Sequence, residues 1–351
     1  MAAHPEPAIV ARGLVKTYAG KRALDGFDLE VPRGVVWGLL GPNGAGKTTA
    51  VRTLTTLLAL EEGEATVAGV DVRTQPHEVR RRIGLSGQTP AVDEILGGRQ
   101  NLVLFARLNR LGKRAAEARA DELLTQFELQ DAADKPVKQY SGGMRRRLDL
   151  AVTLLLQPEV LFLDEPTTGL DPRNRGEVWS AIRQLVADGT TVLLTTQYLD
   201  EADQLASGVS VMDRGLVIAE GRPEDLKRQV GGDRLEVTVA DRADLDRARA
   251  AVARWASSEP VVDAETGTVG AAVADRVTAI AAVLEELGRE GVAIDDIGLR
   301  RPTLDDVFLR LTGHSAEEAA DDSEDAADPA TRHTDAVTDE HDQRDDVEVT
   351  R

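Results

Sequence analysis

The chain has 351 residues, 42% of them hydrophobic, a formal net charge of −19 and no cysteine. That length leaves room for about two domains with a real core, the missing cysteines exclude disulfides and thiolate metal sites, and the acidic balance argues against a general nucleic-acid surface. No basic-then-apolar leader opens the chain and no run approaches about 18 uninterrupted apolar residues, so a cytosolic chain without a membrane span is expected.

Residues 9–15 and 26–31 read as short strands, with Tyr18 on the loop between them. Residues 35–40 read as a buried strand. Then come Gly41, Pro42, Asn43, Gly44, Ala45, Gly46, Lys47, Thr48 and Thr49, which fit G-x-x-x-x-G-K-[ST]. A loop of that kind wraps phosphates with backbone N–H groups. Residues 50–60 place Val51, Leu54, Leu57 and Leu58 at helical spacing. Strand, glycine loop and helix form the context the motif requires. The helix start brings unpaired N–H donors and a positive dipole end toward a polyphosphate. Lys47 then reaches the terminal phosphates, and the Thr48 hydroxyl is placed to ligate Mg²⁺.

A strand pair is expected around 65–67 and 70–72, a helix from Pro76, and an extended segment over 82–88. Amphipathic helices fill 100–111 and 113–127, and a third starts after Ser141 and ends before Pro158. Ser141 is a good N-cap, and Gly142 and Gly143 leave backbone N–H groups open to an anion. Residues 160–163 form a buried strand ending in Asp164 and Glu165. A carboxylate there can hold Mg²⁺ while its neighbour polarises an attacking water. Asp171 followed by Pro172 marks a helix start, that helix stops at Gly189, and 190–196 is again a buried strand ending at Gln197. This alternation of strands and helices predicts an α/β domain with a largely parallel sheet, its functional groups gathered where the strands end.

From about residue 234 the order strand, helix, two strands, helix, strand predicts a ferredoxin-like α+β unit, closed by a short helix over 302–311. Residues 315–351 carry 14 acidic and 3 basic residues and almost no large aliphatics. Such a segment cannot offset its ordering entropy and is expected to be a disordered acidic tail.

Taken in order, these motifs resemble those of the ATP-binding-cassette (ABC) ATPase family, a P-loop NTPase fold. The resemblance covers residues 8 to about 230, with a helical subdomain at about 89–155. An accessory unit at 234–312 and the tail at 315–351 follow. In the family's terms, residues 41–49 match Walker A, Gln88 the Q-loop, and Ser141, Gly142 and Gly143 the signature. Asp164 and Glu165 close Walker B, and Asp171 lies in the D-loop. Tyr18 stands where the family places an aromatic that stacks on adenine. The resemblance implies ATP and Mg²⁺ as cofactors, with Thr48, Gln88 and Asp164 on the metal side, Glu165 as catalytic base, and Lys47 on the phosphates. It also implies a head-to-tail homodimer in which the signature of one copy closes over ATP on the other, and Gln88 as the link to a membrane partner.

Two positions depart from the family pattern. Tyr140 and Met144 flank the signature where leucine and glutamine are usual, and Gln197 stands where histidine is common. A glutamine amide donates a hydrogen bond to a γ-phosphate but carries no charge and shuttles no proton.

The stretch around Gln197 together with residues 304–309 is most similar to the daunorubicin/doxorubicin-resistance type of export ATPase. That likeness implies a motor for drug efflux and self-resistance, peripheral on the cytoplasmic face of the membrane. It would power a separately encoded permease, present as two copies. A subunit exporting lipid or polysaccharide is the alternative, and a soluble non-transport ATPase a more distant one. Residues 304–309 read equally as a core-packing helix or a partner contact. The segment 89–99 after Gln88 is the expected docking surface for the membrane partner.

Overall fold

The structure, a computed structural model, describes residues 6–87, 91–230, 233–300 and 303–312. Gln88 and the acidic tail fall outside the described residues. Antiparallel strands β1 (Ile9–Tyr18), β2 (Lys21–Val31), β4 (Glu62–Val67) and β5 (Val70–Asp71) form one sheet in the order β2-β1-β4-β5. A second sheet holds β3 (Val36–Leu40), β6 (Ile83–Ser86), β7 (Val160–Asp164), β8 (Thr191–Thr196), β9 (Gly208–Asp213) and β10 (Leu216–Gly221). Its order is β10-β9-β3-β8-β7-β6, parallel from β9 to β6 with β10 antiparallel at the edge.

Strand β7 shows why the parallel sheet is continuous in apolar residues. Its alternate side chains enter opposite cores, and a parallel sheet is covered on both faces. Leu161 and Leu163 pack with helices α5 (Gly142–Thr153) and α6 (Pro172–Ala187) and, beyond them, α3 (Gly98–Leu108) and α4 (Lys113–Gln126). Val160 and Phe162 face the antiparallel sheet and α1 (Lys47–Leu54). A short α2 (Pro76–Arg82) leads into β6.

The helix behind the glycine loop is shorter than its apolar spacing suggests. It ends at Leu54: Thr56 takes φ +64°, and the N–H groups of Leu57 and Leu58 both turn back to the Arg52 carbonyl. Leu57 is left 59% exposed, so helical spacing there did not signal burial. Between Gln197 and residue 234 lie further elements that periodicity did not single out: β9, β10, α7 (Leu199–Leu205) and α8 (Pro223–Val230).

The C-terminal unit has the expected β-α-β-β-α-β order: β11 (Arg234–Val239), α9 (Leu245–Ala253), β12 (Val261–Asp263), β13 (Thr268–Ala272), α10 (Arg276–Arg289) and β14 (Ile294–Arg300). The strands run antiparallel in the order β12-β13-β11-β14, with a core of its own around Leu235, Val237, Val252, Val283 and Leu287.

The last helix, α11 (Leu304–Thr312), leaves that core. Leu304, Val307 and Phe308 are buried among Leu40, Leu199, Ala202, Val211 and Leu226. Of the two roles open for residues 304–309, the packing role is therefore occupied, and the C-terminal unit is strapped to the strand that precedes the glycine loop. Truncating Phe308 to alanine removes a fully buried ring, for which about 3–5 kcal/mol is typical. We expect Phe308→Ala to lower the urea midpoint of the full chain accordingly, and an unchanged midpoint would show that the strap does not carry stability.

Candidate functional site

Adjacent parallel strands bring the predicted residues together. In register, Leu40 lies beside Thr196 and Asp164 beside Thr195, so the ends of β3, β8 and β7 form one row. The glycine loop leaves β3 at Gly41 and enters α1 at Lys47. Gly46, the N-cap, has φ +107°, and a Cβ there would collide with the Ala23 carbonyl and the Met212 side chain. Only glycine allows the loop to close this tightly over the β2 and β9 backbones.

Lys47 is buried, and its ammonium donates to the carbonyls of Gly41 (2.7 Å) and Pro42 (2.9 Å). Two of its three donors thus brace the loop, and a third can serve a phosphate oxygen. Burial lowers its pKa, while the charges of Glu165 and Asp164 act in the opposite sense.

Thr48 Oγ1 lies 3.4 and 3.3 Å from the two carboxylate oxygens of Asp164. Asp164 is buried and also accepts from Thr195 Oγ1 at 2.5 Å, a partner on β8 that no motif announced. Hard oxygen donors set face to face at a strand end fit a Mg²⁺ ion. Among the described residues no cluster of three or more His, Cys, Asp or Glu offers an all-protein cage.

Glu165 follows with φ +49°, in the left-handed region that side-chain-bearing residues seldom adopt. Its N–H is held by the Thr195 carbonyl (3.1 Å) and hydroxyl (3.2 Å), and its Oε2 accepts from Thr168 Oγ1 at 3.2 Å. The strain is offset by these bonds.

Gln197 sits half-buried just past β8, followed by Tyr198, whose ring carries the Arg175 guanidinium 4.6 Å from its centroid. Arg175 also donates to the Leu170 carbonyl at 3.1 Å, so one α6 side chain ties the turn before Asp171 to the residue after Gln197. Behind this, Glu201 on α7 is buried and accepts from Thr167 Oγ1 (2.8 Å) and Trp179 Nε1 (3.1 Å). Burial pushes its carboxyl above the usual carboxylate value, against hydrogen bonds from Thr196, Thr167 and Trp179.

The signature is elsewhere. Ser141 caps α5 by accepting from the Met144 N–H at 3.1 Å. Gly142 packs on Leu170, and a Cβ on Gly143 would strike the Asn174 side chain. Asp171 caps α6 through the Asn174 N–H at 2.9 Å, which also lowers its pKa. Signature and D-loop segment therefore form one surface, and among the described residues no hydrogen bond joins Ser141, Gly142 or Gly143 to residues 41–49. Tyr140 explains its departure from leucine: its ring is buried and its hydroxyl donates to the Ala132 carbonyl at 2.7 Å. Tyr18, at the end of β1, is 45% exposed, with Lys16 Nζ 5.8 Å from its ring centroid.

Comparison with known proteins is consistent with this geometry. A family model described as ABC transporter matches residues 24–168, and one described as ATP-binding protein DrrA1-3-like, C-terminal domain, matches 221–312. Daunorubicin resistance ATP-binding protein DrrA2 of Streptomyces coeruleorubidus is 62% identical over 310 residues, spanning 88% of this chain and 96% of that protein. Daunorubicin/doxorubicin resistance ATP-binding protein DrrA of Streptomyces peucetius is 48% identical over 331 residues, 93% and 98% of the two chains. The Nod factor export ATP-binding protein I of Ralstonia nicotianae is 40% identical over 232 residues, 66% of this chain and 72% of its own. Among solved structures, cbiO1 of Clostridium perfringens, part of an ABC transporter complex, aligns with a TM-score of 0.59 at 27% identity over 64% of this chain and 94% of its own. The chain belongs to the ABC transporter ATP-binding proteins, in the daunorubicin/doxorubicin-resistance (DrrA) group.

Proposed function

We propose that this chain binds and hydrolyses ATP as the motor subunit of a drug exporter conferring antibiotic resistance. The observation that carries the reading is the row of Lys47, Thr48, Asp164 and Glu165 at the ends of adjacent parallel strands. The resistance proteins supply the substrate class: they match along 88% and 93% of this chain, against 66% for the Nod factor export relative.

Backbone N–H groups of residues 41–49 receive the polyphosphate, and Lys47 donates to its terminal oxygens. Thr48 and Asp164, with Gln88 from outside the described residues, would hold Mg²⁺, which would supply charge neutralisation to the bound polyphosphate. Glu165 takes a proton from the attacking water. Gln197 donates its amide N–H to the γ-phosphate and does not titrate. Tyr18 offers a half-exposed ring to adenine.

Because Ser141, Gly142, Gly143 and Asp171 share a surface apart from the loop, a second copy is the natural donor of the signature, in a head-to-tail homodimer. No described helix is long and apolar enough to cross a membrane. The substrate path then belongs to a separately encoded permease, in two copies, with this subunit on its cytoplasmic face. Residues 8–230 form the motor unit, with 89–155 its helical part, and 234–312 the accessory unit.

The docking surface lies in 89–99. Buried Asn101 donates to the carbonyls of Asp93 (3.0 Å) and Gly97 (3.1 Å) and accepts from the Asp93 N–H (2.8 Å). Asp93 in turn accepts from the N–H groups of Ile95 and Leu96, so its carboxylate maintains the loop itself. That rigid loop presents Ile95 at 79% exposure, beside a Glu94–Arg145 ion pair (3.3 Å) to the signature helix.

Glu165→Gln should cut ATP turnover at least about 100-fold, the range for loss of a positioned base, while a fluorescent ATP analogue still binds; undiminished turnover would refute the assignment. Gln197→Ala should lower kcat about tenfold or more through loss of one phosphate donor, and an unchanged kcat would remove Gln197 from the site. Ile95→Asp should abolish co-purification with the membrane subunit while leaving nucleotide binding intact, and normal recruitment would move the docking surface elsewhere.

A further inference from the structure

The turn Pro166–Thr167, directly after Glu165, is gripped from two sides by buried ionic side chains that the steps above do not use. From one side comes Arg146 on α5, 6% exposed. Its Nε donates to the Pro166 carbonyl at 2.8 Å, and its Nη1 to the Gly87 carbonyl at 2.9 Å and to Asp149 Oδ2 at 3.4 Å. Asp149, also buried, accepts from Ser86 Oγ (2.6 Å) and from the Ala91 N–H (2.9 Å). The pair therefore pins both described flanks of residues 88–90 to the signature helix. From the other side comes Glu201 on α7, 1% exposed, which accepts from Thr167 Oγ1.

Burying three ionic groups costs several kcal/mol per ion before their attractions repay it. Apolar residues would pack the same space without that cost, so placing two of the three, Arg146 and Glu201, on a single two-residue turn calls for a reason besides stability. Among the described residues, Arg146 Nη2 has no hydrogen-bond partner. The Arg146 side of the turn thus keeps one polar atom in reserve, as a joint that changes partners would. The joint sits one residue from Glu165, whose left-handed backbone persists only if its surroundings hold it.

We propose that Arg146 and Glu201 are positioning residues for ATP hydrolysis: they clamp the Pro166–Thr167 turn and so set the carboxylate of Glu165. A shift of α5, when the signature meets nucleotide, or of α7, when Gln197 meets the γ-phosphate, is delivered to Glu165 of the same chain. Asp149 conveys the same shift to Ser86 and Ala91. This inference rests on the reading of Glu165 as the base.

The test compares full-length wild type, Thr167→Val, Thr167→Ser, Arg146→Lys and Glu165→Gln by steady-state ATPase and by binding of a fluorescent ATP analogue. Thr167→Val removes the hydroxyl that Glu201 holds; Arg146→Lys keeps a charge for Asp149, but a compact ammonium does not span Pro166, Gly87 and Asp149 as a guanidinium fork does. A misplacement of about 1 Å can cost about 100-fold in rate, so kcat should fall at least about tenfold in both, with KM and analogue affinity within about twofold. Thr167→Ser should restore kcat. The double variant Arg146→Lys/Thr167→Val should lose far less than the product of the single losses, because both loosen one turn. Arg119→Gln, which frees the far end of α5 at the Leu154 carbonyl and breaks the Arg119–Glu122 ion pair (2.6 Å), should keep kcat.

Wild-type kcat in Thr167→Val and Arg146→Lys, with Glu165→Gln inactive, overturns the clamp alone. A loss of kcat matched by loss of affinity, or not rescued by serine, also overturns it. Turnover persisting in Glu165→Gln overturns the underlying reading instead. Should Arg146→Lys fail to fold, the Thr167 pair decides the matter.

Discussion

The parallel register of β3, β8 and β7 is the constraint on which the site depends. It aligns Leu40 with Thr196 and Thr195 with Asp164, so the loop entering α1, the carboxylate of Asp164 and Gln197 all emerge from one edge. Thr195 makes that edge cohesive. Its hydroxyl donates to Asp164 and its carbonyl accepts from the Glu165 N–H, so a β8 residue holds the two carboxyl-bearing residues of β7. A register slip of one residue would send these side chains to opposite faces. The apolar cores on both sides of the sheet resist such a slip, because Leu161 and Leu163 fill one core while Val160 and Phe162 fill the other.

Around that edge, polar groups are buried in an order that follows the chemistry. Lys47 braces its own loop, Arg146 and Asp149 brace the flanks of 88–90, and Glu201 braces the turn after Glu165. None of these is a surface ion pair of the kind that contributes little to stability. Each replaces water with fixed partners, and Arg146, Asp149 and Glu201 join segments distant in the chain. Arg175 does the same at lower burial, linking the Leu170 carbonyl to the Tyr198 ring. The links between these elements are thus side-chain bridges, whereas the glycine loop is braced within itself by the Lys47 ammonium.

The C-terminal unit is attached by packing rather than by charge. Its own core is complete without α11, and α11 buries Leu304, Val307 and Phe308 against α7, α8 and the β3–β9 strands. Since α7 begins right after Gln197 and Tyr198, the strap rests on the helix that follows the β8 strand end.

Much of the site was legible because its chemistry is local in sequence. The glycine loop needs lysine and threonine at fixed offsets from glycines, Asp164–Glu165 needs an apolar strand just before it, and Asp171–Pro172 is a helix start by itself. The ferredoxin-like order was legible for the same reason, since alternation and turn residues are short-range signals. What the residues alone did not decide depends on contacts between distant segments. Apolar spacing at Leu57 could not show that the chain turns back at Thr56, because the bonds that end α1 lie in its three-dimensional path. Strands β9 and β10 and helices α7 and α8 are short, and tertiary packing rather than local propensity holds them. Thr195 beneath Asp164, Arg146 against Pro166 and Glu201 against Thr167 are pairings across 31, 20 and 34 residues. The sequence by itself determined which groups would gather at one strand edge, because spacing along one loop and one strand end specifies them. Only the tertiary structure decided how those groups are held and joined, because a buried charge acquires its role from whatever the fold places within hydrogen-bond reach.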